Sequence, residues 1–139
     1  MMAHRDPHPR EVFDALRPKG PQTRIAVVGA SNDPSKYGNV IVRNLMAKGY
    51  TVLPVNLHET TIAGLPAWPS LREVPAPIHV VSVVTPPEVT RTILEEVAEL
   101  GLPHVFLQDG SFDDEVLRYA DSAPFKTVYD ACIMVVTNA

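Results

Sequence analysis

Two kinds of apolar pattern alternate along this chain. The first is the short, mostly apolar run: "RIAVVG" (24–29), "TVLPVN" (51–56), "HVVSVVT" (79–85) and "HVFLQ" (104–108), with "KTVYD" (126–130) as a fifth short strand. Such runs predict strands buried on both faces of a parallel sheet. The second recurs every three or four residues. "PREVFDALRP" predicts a short helix from Arg10 to Arg17 with Val12, Phe13 and Leu16 inward. "YGNVIVRNLMAKGY" (37–50) sets Val40, Ile41, Asn44, Leu45 and Lys48 along one side, and Gly49 stops that helix. "TPPE" opens another, with Thr85 as N-cap, Pro86 at the first helical position and Glu88 reaching back as in a capping box. Its stripe is Val89, Ile93, Val97 and Leu100, with Glu95, Glu96 and Glu99 outside, and Gly101 ends it. "SFDDEVLRYAD" (111–121) starts at Ser111 as N-cap with acids in its first turn, which suits the helix dipole. Residues 61–77 are turn-rich, with Trp68 and Leu71 as anchors.

Strands that alternate with helices form right-handed βαβ units. The expected fold is α/β: a Rossmann-like, doubly wound parallel sheet of about five strands, in one domain over residues 23–139. Residues 1–22 form an N-terminal extension with its short helix. Ligands of such sheets lie beyond the strand carboxyl ends near the switch in strand order. That directs attention to Gly29–Gly38, Asn56–Glu59, Thr85–Glu88 and Gln108–Ser111.

Composition narrows the classes. The 139 residues are 45% hydrophobic and 20% charged, with a net charge of −4 and one cysteine. The charge disfavours non-specific binding to nucleic acid or anionic membrane. No apolar run is long enough to span a bilayer. A single Cys132 and an N-terminus without an apolar signal core fit a cytoplasmic protein.

A nicotinamide dinucleotide site needs closely spaced glycines and an acid after the second strand. Here Gly29 is followed by Ala30, Ser31 and Asn32, and Val55, Asn56 and Leu57 stand where the acid belongs, with Glu59 too far along. No Gly-Lys-Ser/Thr follows for a P-loop. The five histidines are scattered: His79 and His104 open strands, His4 and His8 lie in a mobile tail, and His58 has no partner at metal spacing. Ser31 lacks the elbow of a hydrolase nucleophile. Cys132 has only Asp130 beside it, which raises a thiol pKa, so it reads as buried and inert. What remains is phosphate binding without hydrolysis. Backbone N–H groups of Ala30, Ser31 and Asn32, the Ser31 hydroxyl and the Lys36 ammonium supply donors near a helix start.

Five segments in order, "VVGASNDPSKYGNVIVRNLMAKGYTVLPVN", "GLPAWPSLREVP", "VVSVVTPPE", "LQDGSFDDE" and "VYDACI", resemble the CoA-binding domain family over residues 23–133. That family includes stand-alone bacterial proteins and the N-terminal domain of the succinyl-CoA synthetase alpha subunit. The resemblance implies coenzyme A or an acyl-CoA as cofactor. It places the phosphates on Gly29, Ala30, Ser31 and Lys36, the last standing where many stand-alone members carry arginine. It implies the adenosine end beside Pro54, Val55 and Asn56, the adenine or pantetheine path along Val84, Thr85 and Pro86, and further contacts at Gln108 and Gly110. The ligase's phosphorylated histidine, second domain and partner subunit have no counterpart. The expected function is therefore non-catalytic binding of CoA. The alternatives are a small NAD(P)- or other nucleotide-dependent oxidoreductase, and a regulatory subunit that reports CoA status to an unknown protein partner. A mixed disulfide between Cys132 and the CoA thiol is a lesser idea.

Overall fold

Strict alternation along each strand decides which side of the sheet its residues take. In the computed structural model, which describes residues 6–138, the strands are β1 (Arg24–Val28), β2 (Thr51–Val55), β3 (Thr61–Ile62), β4 (Leu65–Pro66), β5 (Val80–Val83), β6 (His104–Leu107) and β7 (Lys126–Val128). The helices are α1 (Arg10–Leu16), α2 (Tyr37–Ala47), α3 (Pro87–Glu99), α4 (Asp114–Ser122) and α5 (Ile133–Val136). Five strands pair in parallel in the order β2-β1-β5-β6-β7.

Ile25, Val27, Phe106 and Val128 face α1, α2 and α5, where Val12, Leu16, Ile41, Val42, Leu45 and Ile133 complete one buried cluster. Ala26, Val28, Val81, Val83, Val105 and Leu107 face α3 and α4, with Leu94, Val97, Val116 and Leu117. The helix of the N-terminal extension thus packs into the core of the sheet domain. The single α/β domain is doubly wound, as the alternating patterns imply. Its strand order turns between β1 and β5, so the chain leaves β1 toward one face and β5 toward the other. The crevice between those departures is the switch point.

The helix starts differ from the sequence reading. At α3 the N-cap is Pro86 (φ −61°, ψ 156°), with no side-chain cap, and Pro87 takes the first helical position. A residue preceding proline is held out of the α region, so Pro86 cannot enter the helix and the start slips by one residue. The Thr85 hydroxyl instead lies 2.8 Å from that of Thr90. Ser111 is not the cap of α4: its hydroxyl donates to the Gln108 carbonyl at 2.6 Å, and the Asp113 carboxylate caps the helix by accepting from the Val116 amide at 2.9 Å.

The apolar stripes also shift. Val40 and Val89 are 40% and 41% exposed, while Asn39 and Thr90 take inward positions. Phe13 is half-buried. α2 does stop at Gly49, whose amide bonds to Met46 while Tyr50 reaches Leu45, a Schellman turn. In the turn-rich segment Leu71 is buried in a single 3₁₀ turn, Leu71–Glu73. Trp68 joins the edge of β2: its amide donates to Pro54 and its carbonyl accepts from Asn56. The small β3–β4 hairpin, whose Ile62 is fully buried, and α5 carry too little periodicity to be read from sequence.

Candidate functional site

The site begins where two glycines let backbone approach backbone. Gly29 has φ +95°, and a Cβ there would sit 3.0 Å from the Val84 side chain and 3.2 Å from that of Thr85. A Cβ on Gly38 would lie 2.0 Å from the Gly29 carbonyl oxygen, so only glycine lets the first turn of α2 rest on the loop. The loop after β1 and the loop after β5 are thereby in direct contact.

Three successive carbonyls of the loop are each directed at another part of the fold. The Gly29 carbonyl faces Gly38. The Ala30 carbonyl accepts from Asn56 Nδ2 at 2.9 Å, and the Ser31 carbonyl from Asn39 Nδ2 at 3.0 Å. In a trans peptide the N–H points opposite the carbonyl. The amides of Ala30, Ser31 and Asn32 are therefore turned away from these partners, and none of them donates to an acceptor among the described residues. Tyr37 and Gly38, opening α2, add the unpaired amides that every helix start carries.

Side chains brace this arrangement. Asn32 donates to the Thr61 carbonyl at 2.8 Å and accepts from the Ala63 amide at 3.1 Å, tying the loop to the β3–β4 hairpin. Asn56 Oδ1 accepts from the amides of His58 and Glu59. The Ser31 hydroxyl accepts from the Asp33 amide at 3.0 Å, which leaves its own hydrogen to donate elsewhere. The Asp33 carboxylate accepts from the Ser35 amide and hydroxyl, and these bonds, with a smaller pull from Lys36, hold it below the usual carboxylate range. It is turned back into its own loop rather than toward the amides. Lys36, the N-cap residue of α2, is exposed.

The remaining sequence-selected residues divide into two groups. Val84 and Thr85 are half-buried against Gly29, Pro86 is exposed beside them, and Gly110 is exposed after β6. Gln108 is buried at the carboxyl end of β6. Pro54 and Val55, by contrast, are buried within β2, and their carbonyls are already taken by Trp68 and Gly29. Asn56 is a brace whose carboxamide is engaged at both ends. Where a dinucleotide fold would need a ribose-binding acid, this chain holds that committed amide, and Glu59 is exposed further along.

Cys132 is not the inert, buried residue its neighbours in sequence imply. It is half-exposed, with its sulfur 3.5 Å from the Tyr37 hydroxyl. Burial opposes the thiolate, but donors from Tyr37, the Met134 and Val135 amides and the Gln108 carboxamide outweigh it and hold the thiol below its ordinary range. The same contact, with burial second, raises Tyr37. Sequence reasoning missed Tyr37 and Asn39. The available signal for Asn39 was a carboxamide beside the buried face of an apolar helix.

The large hydrophobics left exposed among the described residues are Tyr37, Val40, Leu57, Val89 and Val135. Each follows the carboxyl end of a strand, in the connecting loop or the next helix. His8 departs from expectation: its ring lies 5.9 Å from Phe13 and 3.2 Å from the Asp130 carbonyl. His4 lies outside the described residues. Among those residues no group of three or more His, Cys, Asp or Glu is placed to hold a metal ion, and no helix is long and apolar enough to cross a membrane.

Residues 23–138 match the family described as CoA binding domain. The chain is 35% identical over 91 residues to the alpha subunit of ADP-forming acetate–CoA ligase II from Pyrococcus furiosus, covering 65% of this chain but 20% of that subunit. It is 30% identical over 112 residues to the uncharacterized protein YneT of Bacillus subtilis, covering 81% and 83% of the two chains. Among solved structures, a conserved hypothetical protein from Pyrococcus furiosus superposes with a TM-score of 0.79 at 39% identity, over 81% of this chain and 97% of that one. A Thermus thermophilus protein superposes with a TM-score of 0.79 at 32% identity, over 93% and 96%.

Proposed function

Since the chain belongs to the CoA binding domain family, we propose that it is a cytoplasmic, non-catalytic module that binds coenzyme A or an acyl-CoA, with the diphosphate on the loop after β1. The observation that carries this reading is the set of three amides, Ala30, Ser31 and Asn32, that have no acceptor among the described residues, while the Ala30 and Ser31 carbonyls are held by Asn56 and Asn39 and the Gly29 carbonyl packs against Gly38. Amide bonds to a charged phosphate contribute about 1.5–3 kcal/mol each. An exposed ammonium such as Lys36 contributes about 0.2–1 kcal/mol. The amides dominate, and Lys36 tunes affinity at low salt. The adenine and the pantetheine arm take the apolar surface around Val84, Thr85, Pro86 and Tyr37.

The oxidoreductase reading has less support, because the position of the ribose-binding acid is filled by Asn56. Titration calorimetry separates the two. CoA is expected to bind and NAD to give no heat, with Lys36→Ala weakening CoA by at most about fivefold at low salt. Equal heats for CoA and NAD, or none for CoA, would discard the proposal.

A further inference from the structure

The connections after β1, β6 and β7 meet at one sulfur atom. Cys132 follows β7 and faces the hydroxyl of Tyr37, the residue that begins α2 just beyond the loop whose amides lack acceptors among the described residues. Gln108, at the end of β6, lies close enough for its carboxamide to help hold the same thiol below its ordinary range. Gln108 is only 4% exposed, and its Oε1 has no donor among the described residues. Leaving a buried amide oxygen unpaired costs about 1–3 kcal/mol, a penalty that a ligand N–H reaching it through a small movement of the side chain would relieve. The thiol is also held in place from behind. Lys48 Nζ donates to the Met134 carbonyl at 2.6 Å and to the Thr137 hydroxyl at 2.8 Å, pinning α5 to α2.

A ligand that satisfies Gln108 while reaching Cys132 carries an amide N–H close to a sulfur. The arm of coenzyme A has that chemistry: a terminal thiol two carbons from an amide nitrogen. We propose that Cys132 is a covalent docking point for this arm, which it captures as a mixed disulfide between Tyr37 and Gln108. This rests on the CoA reading above. The co-reactant is the symmetric disulfide of CoA. The Cys132 proton leaves to solvent, and the thiolate attacks one ligand sulfur. One S–S bond breaks as another forms, and the departing CoA thiolate carries off the electron pair and takes a proton from water. No further oxidant is required.

The test uses the full chain, whose single cysteine makes any adduct unambiguous. Reduced protein is mixed with CoA disulfide or, separately, glutathione disulfide, quenched in acid and weighed intact. One CoA per chain is expected, formed at least about tenfold faster than the glutathione adduct because binding raises the local concentration of the disulfide. Dithiothreitol should remove it, and Cys132→Ser should not form it. In Gln108→Leu the preference for the CoA disulfide over glutathione disulfide should shrink. Calorimetry with reduced CoA separates the two readings. Binding of CoA without an adduct, or with equal rates for both disulfides, overturns the inference and leaves the binding function intact. No heat together with equal rates overturns both.

Discussion

The two ends of the sheet are made by the same five strands and differ in what they leave open. At the amino end, the Arg24 amide donates to His79 Nδ1 at 3.0 Å, and its guanidinium donates to the carbonyls of Pro77 and Pro75 at 2.7 and 2.9 Å. His104 Nδ1 lies 3.1 Å from the His79 carbonyl. Polar groups there close on one another. At the carboxyl end, among the described residues, the amides of Ala30, Ser31 and Asn32 have no acceptor, Gln108 Oε1 has no donor, and the exposed large hydrophobics follow the strand ends in the loops and first helical turns. His79 and His104 stand at that closed end, whereas His58 follows β2 and the His8 ring reaches the Asp130 carbonyl after β7. The open end advertises itself only through small residues and two glycines.

The strongest way to break this contrast is to destroy the turned peptides. Gly38→Ala places a methyl on the Gly29 carbonyl. It should destabilise the fold by about 3 kcal/mol in urea melts and remove the calorimetric signal with CoA. Unchanged stability and affinity would mean that the close approach does not set the loop. Asn39→Ala leaves the Ser31 carbonyl without its donor. A loss of about 1–3 kcal/mol in stability is expected, with CoA affinity falling about tenfold; stability loss alone would reduce Asn39 to a packing residue.

A gentler probe asks whether the open end alters a side chain's chemistry. The alkylation rate of Cys132 should rise with pH through a midpoint below the ~8.5 of a free cysteine, because the donors around the sulfur favour the thiolate. The sign follows directly: a lowered pKa makes the thiolate appear at lower pH in the folded chain than in the urea-unfolded one. Tyr37→Phe should move the midpoint back up, and coincident folded and unfolded profiles would refute the effect. The smallest expected change is at the opposite end. His79→Gln should leave CoA affinity within about twofold, as for distant independent sites, and a larger fall would couple the two ends.

The strands β1, β2, β5 and β6 were legible because nearly all their residues are buried, so the runs are mostly apolar whatever the topology. Helix existence was legible for the same kind of reason, but helix phase was not. Val40 and Val89 carry the right hydrophobicity for the core and lie outside it, because Asn39 and Thr90 take inward positions where their side chains bond Ser31 and Thr85. The capping pattern at Thr85 failed because two consecutive prolines move the helix start, a restriction local pattern-matching passes over. The small residues of the first loop pointed to the right place through the switch-point rule. The orientation of its peptides depends on Asn39 and Asn56, 8 and 26 residues along the chain from the carbonyls they hold. Cys132 was misjudged because its sequence neighbour Asp130 is an acid, whereas the groups that reach its sulfur include Tyr37 and Gln108, brought there by the fold.

Trp68 also has a bearing on how this molecule behaves in a crowd. By bonding Pro54 and Asn56 it caps the carboxyl half of the outermost strand, and the residue it caps, Pro54, has no N–H to offer a newcomer. Along β2 the outward positions alternate, which leaves Val52 as the lone rung on that flank where another chain's backbone finds both a donor and an acceptor. One rung does not hold a foreign strand. The flank is therefore a poor template for fibrils or edge-to-edge dimers, and replacing Pro54 with valine should be the shortest route to making it sticky.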